Sequence, residues 1–324
     1  MRKKVIVDCD NTMGLPGGEI DDGLALLYLL GRDDIEIVGV TNTFGNGSVR
    51  DVERCTSELL REIGRTDIRR VTGEAYDRQN PILVSDGDGS DRYDNELPPP
   101  VFPSDAARFL VETVNACPNG ISILVLGPVG NIYDAGRLDS DFYDNVAEIV
   151  LMGGYTKELE LATGPCRELN LSCNPRAAHS VLHASSPVVV FNGHICLQAP
   201  FEERDFRRVQ MWPTSRINLI RNWFATFTER YKERGFYLWD LLPAVYLSFP
   251  GLFDLRDVAI APTIDGLHHG WLMPTSDDDV ATATIAMPEN IVDSSMFMEV
   301  VEEGWRREWS LEAGGWKSTI GGCE

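Results

Sequence analysis

Short apolar runs rich in valine and isoleucine recur along the chain, and segments with a helical pattern lie between them. The runs predict strands and the intervening segments predict helices. The predicted strands are Val5–Val7, Ile35–Thr41, Ile121–Leu126, Glu148–Met152 and Val188–Phe191, and the predicted helices are Asp22–Leu30, Val49–Ile63, Asn131–Arg137 and Pro175–His183. Strands that alternate with helices predict an α/β fold with a mainly parallel central sheet flanked by helices.

The pattern changes towards the carboxyl end of the chain. It predicts helices at Ser215–Arg234 and Tyr237–Leu247, strands with turns across Val258–Met287, and a closing helix at Ser294–Arg307. Two stretches, Gly73–Pro103 and Gly153–Asn174, follow neither pattern, and long irregular segments of this kind are typical of functional loops. Because the chain shows no repeat and no linker, we expect one domain over residues 1–310 and a loose tail over 311–324.

Composition narrows the class of function. The 324 residues include 50 acidic and 29 basic side chains, for a net charge of −21, which leaves no basic surface for nucleic acid or for an anionic membrane. No apolar run approaches the ~20 residues of a membrane span, and the opening MRKKVIVDCD lacks a signal-peptide apolar segment. Seven scattered cysteines without CxxC spacing fit a reducing compartment. We therefore expect a cytoplasmic protein that acts on small molecules.

One acidic stretch, VDCDNTMGLPGGEIDDG, begins at the end of the first predicted strand. Its four aspartates are Asp8, Asp10, Asp21 and Asp22. Asp8 and Asp10 point to the same side of a strand, whereas Asp21 and Asp22 begin a helix that one of them could cap. Like charges so close together persist only if some are protonated or a cation lies among them, and oxygen ligands suit Ca²⁺ or Mg²⁺. The stretch therefore predicts a cation site at the carboxyl end of a strand.

One family resemblance rests on the strand alone. VIVDCDNT resembles the DxDxT strand end of haloacid dehalogenase-like phosphatases. This resemblance implies that Asp8 accepts a phosphoryl group, that Asp10 is the acid/base and that Mg²⁺ assists. The family also needs a later lysine and an acidic pair after a further strand. Lysines are scarce, with Lys157 the one that shortly follows a predicted strand, and the acidic run Thr275–Asp279 follows a turn, so the resemblance stops at one motif.

A second resemblance covers about residues 3 to 300. DCDN…IDDGLALLYLL resembles the amino-terminal signature of the inosine-uridine-preferring nucleoside hydrolases, and further motifs similar to theirs follow in the same order: VTNTFGN (Val40–Asn46), LGPVGNIYDA (Leu126–Ala135), VLMGG (Val150–Gly154), ELNLSCNPRAAHSVL (Glu168–Leu182) and WDLLPAVYL (Trp239–Leu247). This resemblance implies a nucleoside hydrolase-like open α/β fold, hydrolysis of the N-glycosidic bond of ribonucleosides, and a dimer or tetramer.

The resemblance also implies roles for single residues. Those implied to hold Ca²⁺ are the carboxylates of Asp10, Asp22 and Asp240 and the backbone carbonyl of Gly130. Asp10 would also be the general base for a metal-bound water, and metal coordination lowers the pKa of such a water. Asp21 would contact a ribose hydroxyl and Asp8 would orient the turn. The implied sugar contacts are Asn46, Met152, Glu168 and Asn170.

The base that leaves must accept electron density, usually together with a proton. Trp239 stands where many relatives have histidine, and the purine-preferring inosine-adenosine-guanosine branch of the family also has tryptophan there. In that branch, stacking on the indole is thought to raise the proton affinity of the base, so the resemblance makes Trp239 a catalytic and base-binding residue and the substrate purine-leaning. Phe236 and Tyr237 could add to the base pocket, Asp88 and Asp91 could supply an acid, and we interpret His194 as structural or indirect in its effect.

Three departures from the family pattern stand out. An insertion, NTMGLPGGEI, separates Asp10 from Asp21; Ala162 lies where a further ribose-binding asparagine is usual; and Asn174 replaces an aspartate. A non-catalytic nucleoside-binding protein that kept the cation site is a further alternative, and it predicts ribose binding without turnover.

Overall fold

The computed structural model describes residues 2–73, 102–161, 164–212 and 236–307, together with the backbone of the short strands at 83–86 and 90–93. The strands in chain order are β1 Lys3–Cys9, β2 Ile35–Asn42, β3 Arg70–Thr72, β4 Leu83–Asp86, β5 Ser90–Tyr93, β6 Ile121–Val125, β7 Glu148–Met152, β8 Glu160–Leu161, β9 Gly164–Pro165, β10 Val188–Phe191, β11 Pro200–Phe201, β12 Phe236–Tyr237, β13 Phe253–Ile260 and β14 Ala283–Ile291.

Helices cover both faces of the sheet. In chain order they are α1 Asp21–Leu30, α2 Val49–Glu62, α3 Asp105–Asn115, α4 Gly130–Leu138, α5 Phe142–Asn145, α6 Pro175–Leu182, α7 Gly193–Cys196, α8 Glu203–Gln210, α9 Leu241–Tyr246, α10 Ile264–Leu267 and α11 Ser294–Arg306, with a 3₁₀ turn at Pro250–Leu252. Val5 and Val7 of β1 face a core shared with α1, α2, α9 and α11. Ile6 faces a second core shared with α3, α4 and α6, as the alternation of a buried strand requires.

The central sheet has eight strands in the order β13-β14-β10-β7-β6-β1-β2-β3. Neighbouring strands run parallel except for β13, which pairs antiparallel with β14. This arrangement confirms the predicted α/β fold with a mainly parallel, mixed sheet. The chain passes from β1 outward to β2 and β3 and then returns to the other side of β1 with β6, which opens a crevice at the carboxyl ends of β1 and β6.

Most of the predicted elements are present, with ends shifted by a few residues. The predicted helix Tyr237–Leu247 is wrong in its first turn, because β12 pairs with β11 and the helix α9 begins at Leu241. The irregular stretches contain the two-stranded pairs β4–β5 and β8–β9. The helix α3 is not among the predicted elements. It begins after Ser104, whose hydroxyl accepts the Ala107 N–H. The predicted helix at 215–234 and the tail at 311–324 lie outside the described residues.

Within the described ranges, every helix is too short or too polar to reach across a lipid bilayer.

Candidate active site

Asp10 lies at the carboxyl end of β1, where two other strand ends approach it. Its Oδ2 accepts the backbone N–H of Asn46 at 2.6 Å. A Cβ atom at Gly45 would lie 2.0 Å from that same Oδ2, and a Cβ atom at Gly127 would lie 2.9 Å from Oδ1. These two glycines therefore let the loops after β2 and β6 pass against the carboxylate on both sides.

Three further carboxylates lie beside Asp10, at the starts of two helices. Asp21 and Asp22 form the first turn of α1 and Asp240 precedes α9, and ligand atoms of the three lie within 4.8 Å of one another. Asp240 is the N-cap residue of α9 and makes no side-chain capping bond, and the N-cap residue of α1 is Ile20. Asp22 Oδ1 accepts the Asp10 N–H at 3.2 Å. Packing of α1 against α9 joins the two ends of the chain here.

The carboxylate group of Asp10, Asp21, Asp22 and Asp240 is buried and carries more negative charge than its surroundings balance. Burial is the main cause that raises the pKa of each of these four residues, and the neighbouring carboxylates raise it further. One oxygen each of Asp10, Asp21 and Asp22 is buried without a hydrogen-bond partner. The positive ends of two helix dipoles favour the ionised carboxylates but offset only part of their repulsion. Buried oxygen ligands of this kind fit a hard divalent cation.

Asp8 has a different environment from its neighbour Asp10. Its Oδ1 accepts hydrogen bonds from Thr41 Oγ1 at 2.5 Å and from Asn131 Nδ2 at 2.7 Å. Asn131 also donates to the carbonyl of Asn42, so Asp8 joins the ends of β1 and β2 to the first turn of α4. Burial raises the pKa of Asp8 to about 7 against the effect of these hydrogen bonds. A fully buried, doubly hydrogen-bonded carboxylate suits a residue that orients the turn better than a phosphoryl acceptor.

Gly130, the residue predicted to supply a carbonyl ligand, is buried and begins α4. It follows the loop that passes Asp10 at Gly127.

The predicted sugar contacts Met152, Glu168 and Asn170 lie together at the ends of β6 and β7. Asn170 Nδ2 donates to the carbonyl oxygens of Leu126 at 2.7 Å and Met152 at 3.0 Å, which ties the two strand ends together. Met152 is half-buried. The fourth predicted contact, Asn46, has an exposed side chain and donates its backbone N–H to Asp10.

Both carboxylate oxygens of Glu168 accept hydrogen bonds from nearby backbone N–H groups. Oε1 accepts the N–H groups of Gly154 at 3.1 Å and Leu171 at 2.9 Å, and Oε2 accepts that of Ser172 at 2.7 Å. Burial raises the pKa of Glu168 in spite of these bonds. Glu168 therefore orders the loop that carries Asn170, a role that the sequence pattern did not indicate.

The aromatic residues beside Asp240 divide into two sets. Trp239 is half-buried and meets Tyr237 edge to face, with ring centroids 5.5 Å apart. Phe236 is buried and packs on Phe201 with centroids 5.1 Å apart, so it belongs to the core. The carbonyl of Trp239 accepts a hydrogen bond from Cys196 Sγ at 3.6 Å.

The remaining candidates lie elsewhere or outside the described residues. His194 Nε2 lies 3.1 Å from the Lys157 carbonyl, and burial lowers the pKa of its imidazole, which agrees with a structural role. Asp88 and Ala162 lie outside the described residues, and Asp91 lies in β5, whose side chains are not described. Asn174 caps α6 by accepting the Ala177 N–H.

The insertion between Asp10 and Asp21 has a buried base and an exposed tip. Asn11 Nδ2 donates to Thr56 Oγ1 at 3.3 Å, and Thr12 Oγ1 donates to the carbonyl of Glu19 at 3.0 Å. Its glycine- and proline-containing tip is exposed at Gly14, Pro16 and Gly17. The charge of Glu19 is among the causes that raise the pKa of Asp21 and Asp240, so the insertion adds to the negative charge of the site.

Comparison with known proteins gives a family match over nearly the whole chain. The family described as "Inosine-uridine preferring nucleoside hydrolase" matches residues 5–303. A "Probable uridine nucleosidase 2" of Arabidopsis thaliana is 27% identical over 280 residues, which are 83% of this chain and 84% of that protein. An "Inosine-uridine preferring nucleoside hydrolase" of Crithidia fasciculata is 28% identical over 244 residues, which are 73% of this chain and 74% of that protein.

Solved structures agree on the fold. A "Purine-Preferring Ribonucleoside Hydrolase from Gardnerella vaginalis" superposes with a TM-score of 0.76 at 20% identity, over 94% of this chain and 98% of that one. A "Plant nucleoside hydrolase", PpNRh1, superposes with a TM-score of 0.77 at 21% identity, over 94% of this chain and 99% of that one.

Proposed function

The chain belongs to the inosine-uridine preferring nucleoside hydrolase family, and we propose that it is a calcium-dependent member that favours purine ribonucleosides. Family membership makes it an enzyme that hydrolyses the N-glycosidic bond of ribonucleosides to free base and ribose. The matched family favours neither the phosphatase alternative nor the non-catalytic one.

The observation that carries the proposal is the buried carboxylate group with unpaired oxygens at the crevice of the sheet. Asp10, Asp22, Asp240 and the carbonyl of Gly130 would hold the ion, and all of their donor atoms are oxygens, as Ca²⁺ requires. When bound, the ion would supply positive charge that lowers the pKa of a coordinated water and that attracts sugar hydroxyls. Asp21, which lies within 4.8 Å of Asp22 and Asp240, would accept a hydrogen bond from a ribose hydroxyl.

Asp10 is the residue placed to accept a proton. One of its oxygens is fixed by the Asn46 N–H, which leaves Oδ1 as the basic atom without a partner. Burial and the neighbouring carboxylates raise the pKa of Asp10 in the metal-free protein, and a bound cation would favour the ionised form that can accept a proton. Water that loses a proton to Oδ1 would attack the anomeric carbon as the bond to the base breaks.

The sugar would be held on the side of β6 and β7. Cleavage of a glycosidic bond builds positive charge on the sugar ring, and hydrogen bonds that strengthen in that state lower the barrier. Asn170 is fixed by its Nδ2 group, so its Oδ1 would be the atom that receives a sugar hydroxyl, while Met152 would pack on the ring. Glu168 would hold the loop in place and Asn46 would contact the sugar through its exposed side chain.

Trp239 supports the purine preference. Its half-buried indole lies next in sequence to Asp240 and so beside the carboxylate group. A larger purine ring would stack on it with more contact area than a pyrimidine ring. The printed names of two similar Arabidopsis thaliana proteins indicate uridine instead, so the assay below compares purine and pyrimidine nucleosides.

We also propose that the enzyme is cytoplasmic and that it forms a dimer or tetramer. The five free cysteines among the described residues support the first inference, although Cys117 is disulfide-bonded, and the family resemblance supports the second. Size-exclusion chromatography with light scattering tests the assembly directly: a monomer at micromolar concentration would contradict it.

The experiment that tests the proposal measures released base and reducing sugar from inosine, adenosine, guanosine, uridine and cytidine, with calcium and with a chelator. We expect turnover that the chelator abolishes and calcium restores, with the purine nucleosides ahead. Asp10→Asn should lower kcat about 10²- to 10⁴-fold, because it removes the base and one ligand charge.

The matched control for Asp10→Asn is Asp278→Asn, which removes a carboxylate from an exposed position. It should leave turnover unchanged. Near-normal activity of Asp10→Asn would contradict the assigned mechanism, whereas nucleoside binding without base release by the wild-type protein would mean a non-catalytic binding protein.

A further inference from the structure

A short antiparallel ribbon holds the segment that carries Trp239 and Asp240. Pro200 pairs with Tyr237 and Phe201 pairs with Phe236, so β11 sets the register of β12. The Leu238 N–H continues this pairing by donating to the Ala199 carbonyl at 3.0 Å. The register of the ribbon is therefore fixed up to the residue before Trp239.

Beyond the last backbone hydrogen bond of the ribbon, the side chain of Cys196 bonds to the next residue. Cys196, the last residue of α7, donates its Sγ–H to the carbonyl of Trp239 at 3.6 Å. The thiol is fully buried, whereas Trp239 is half-buried. A thiol is a weak donor, but its removal would leave the Trp239 carbonyl without this partner, which costs free energy to the extent that the carbonyl is shielded from water.

The element that carries Cys196 is itself fixed to the sheet. Asn192 at the end of β10 caps α7, with its Oδ1 accepting the N–H groups of His194 at 2.8 Å and Ile195 at 3.2 Å. The Gln198 side chain donates to the Glu289 carbonyl and accepts the Ile291 N–H, both at 3.0 Å, and so ties the following turn to β14. The thiol is therefore held at a defined place relative to the sheet.

The peptide group between Trp239 and Asp240 is the link that matters for the site. A change in the ψ angle of Trp239 would turn this carbonyl and move Asp240 relative to Trp239. Asp240 belongs to the carboxylate group, and Trp239 carries the indole proposed to stack on the base. A bond to the carbonyl therefore restricts how these two residues lie relative to each other.

We propose that Cys196 is a positioning residue of the active site, which orients the Trp239–Asp240 peptide group through its thiol. The inference rests on the proposed function, since it assigns Cys196 a role towards the calcium ligand Asp240 and the base-binding Trp239. Cys196 would act through the Trp239 carbonyl, and not as a ligand of the ion or a contact of the base.

The test compares calcium binding by isothermal titration calorimetry in the wild-type protein, Cys196→Ala and Cys196→Ser. Loss of the donor in Cys196→Ala should weaken calcium binding about three- to tenfold and lower kcat/KM for inosine to a similar degree. Cys196→Ser keeps a donor at nearly the same place and should bind calcium within about twofold of the wild-type protein. A purely packing role predicts no such rescue by serine.

Cys55→Ala is the matched control, since Cys55 is another buried free thiol but lies on α2 away from Asp240. It should lower the melting temperature as Cys196→Ala does and leave calcium binding unchanged. Calcium binding by Cys196→Ala equal to that of the wild-type protein, or by Cys196→Ser as weak as by Cys196→Ala, would overturn the inference alone. A wild-type protein that binds no calcium would overturn the proposed calcium site, and the inference with it.

Discussion

At the residue scale, the surroundings of Asp10 explain why two glycines lie in the motifs VTNTFGN and LGPVGN. The backbone at Gly45 has φ +155° and comes so close to Asp10 that a side chain would meet the carboxylate. Gly127 has the same effect on the opposite side. The motifs that follow β2 and β6 are therefore shaped around one aspartate, and polar residues at the same strand ends, Thr41 and Asn131, support its neighbour Asp8.

The role of Trp239 in base preference can be measured with one substitution. Stacking on an indole is worth about 1 kcal/mol beyond area burial, so Trp239→Ala should lower kcat/KM about fivefold more for inosine than for uridine. Steady-state kinetics with both nucleosides give the ratio. Trp239→Phe, which keeps an aromatic ring, is the control and should lose less of the purine preference. Equal losses for inosine and uridine in Trp239→Ala would show that the indole does not select the base.

At the scale of elements, α1 is held at both ends by helices from the other end of the chain. Its first turn, with Asp21 and Asp22, packs against α9, which Asp240 precedes. Its last turn packs against α11, where Gly31 approaches Gly304 so closely that a Cβ at Gly31 would lie 1.9 Å from the Gly304 carbonyl oxygen. Trp305 also donates its indole N–H to the Leu24 carbonyl at 3.0 Å. The helix that supplies two carboxylates is thus set by contacts at its far end.

A methyl group at that contact should disturb both stability and the site. Gly31→Ala should lower the free energy of unfolding by about 1–3 kcal/mol, because two packed backbones must separate. Urea denaturation in the absence of calcium measures the change. Gly251→Ala is the control, since a Cβ there meets no atom within 4 Å, and it should change stability by less than about 0.5 kcal/mol. A Gly31→Ala protein as stable as the Gly251→Ala protein would show that α1 and α11 can shift without cost.

At the scale of the whole molecule, the buried carboxylates link stability to pH and to cation binding. In the native protein, burial raises the pKa of Asp8 to about 7, and it also raises the pKa of Asp10, Asp21, Asp22 and Asp240. In an unfolded chain each of these carboxyl groups has a pKa of about 3.9. The metal-free native protein therefore binds more protons than the unfolded chain above about pH 4. Its stability contribution from these groups is present at low pH and is lost as the pH rises through the raised pKa values.

This linkage predicts that the melting temperature depends on pH more strongly without the ion than with it. With a chelator, the melting temperature should fall between about pH 6 and pH 8; with saturating calcium the fall should be much smaller, because the cation favours the ionised carboxylates and stabilises the native state. Differential scanning calorimetry at both pH values, with and without calcium, measures the effect. A chelated protein whose melting temperature rises over this range would contradict the assigned protonation of the group.

The sequence predicts the sheet well because its buried strands are short, apolar and separated by amphipathic helices, as in Ile35–Thr41 and Val49–Ile63. The strand–loop–helix pattern also places Asp10 near the Asp21–Asp22 pair, and Asp22 Oδ1 accepts the Asp10 N–H, whereas the approach of Asp240 follows from the family resemblance and not from the pattern. It does not predict contacts set by the backbone in three dimensions. The helix α9 begins only at Leu241 because the residues before it form β12, which pairs with β11. The Glu168 carboxylate accepts hydrogen bonds from backbone N–H groups, which a pattern of side chains does not reveal.

Residues far apart in the sequence supply different parts of the carboxylate group, and this has a consequence for biosynthesis. Asp10 and Asp22 leave the ribosome well before Asp240, and the strands β2 to β12 are made in between. Until Asp240 emerges, the proposed calcium site lacks one of its ligands. Capture of an ion would thus be a late event of maturation, and it would distinguish a polypeptide that includes Asp240 from one that stopped before it.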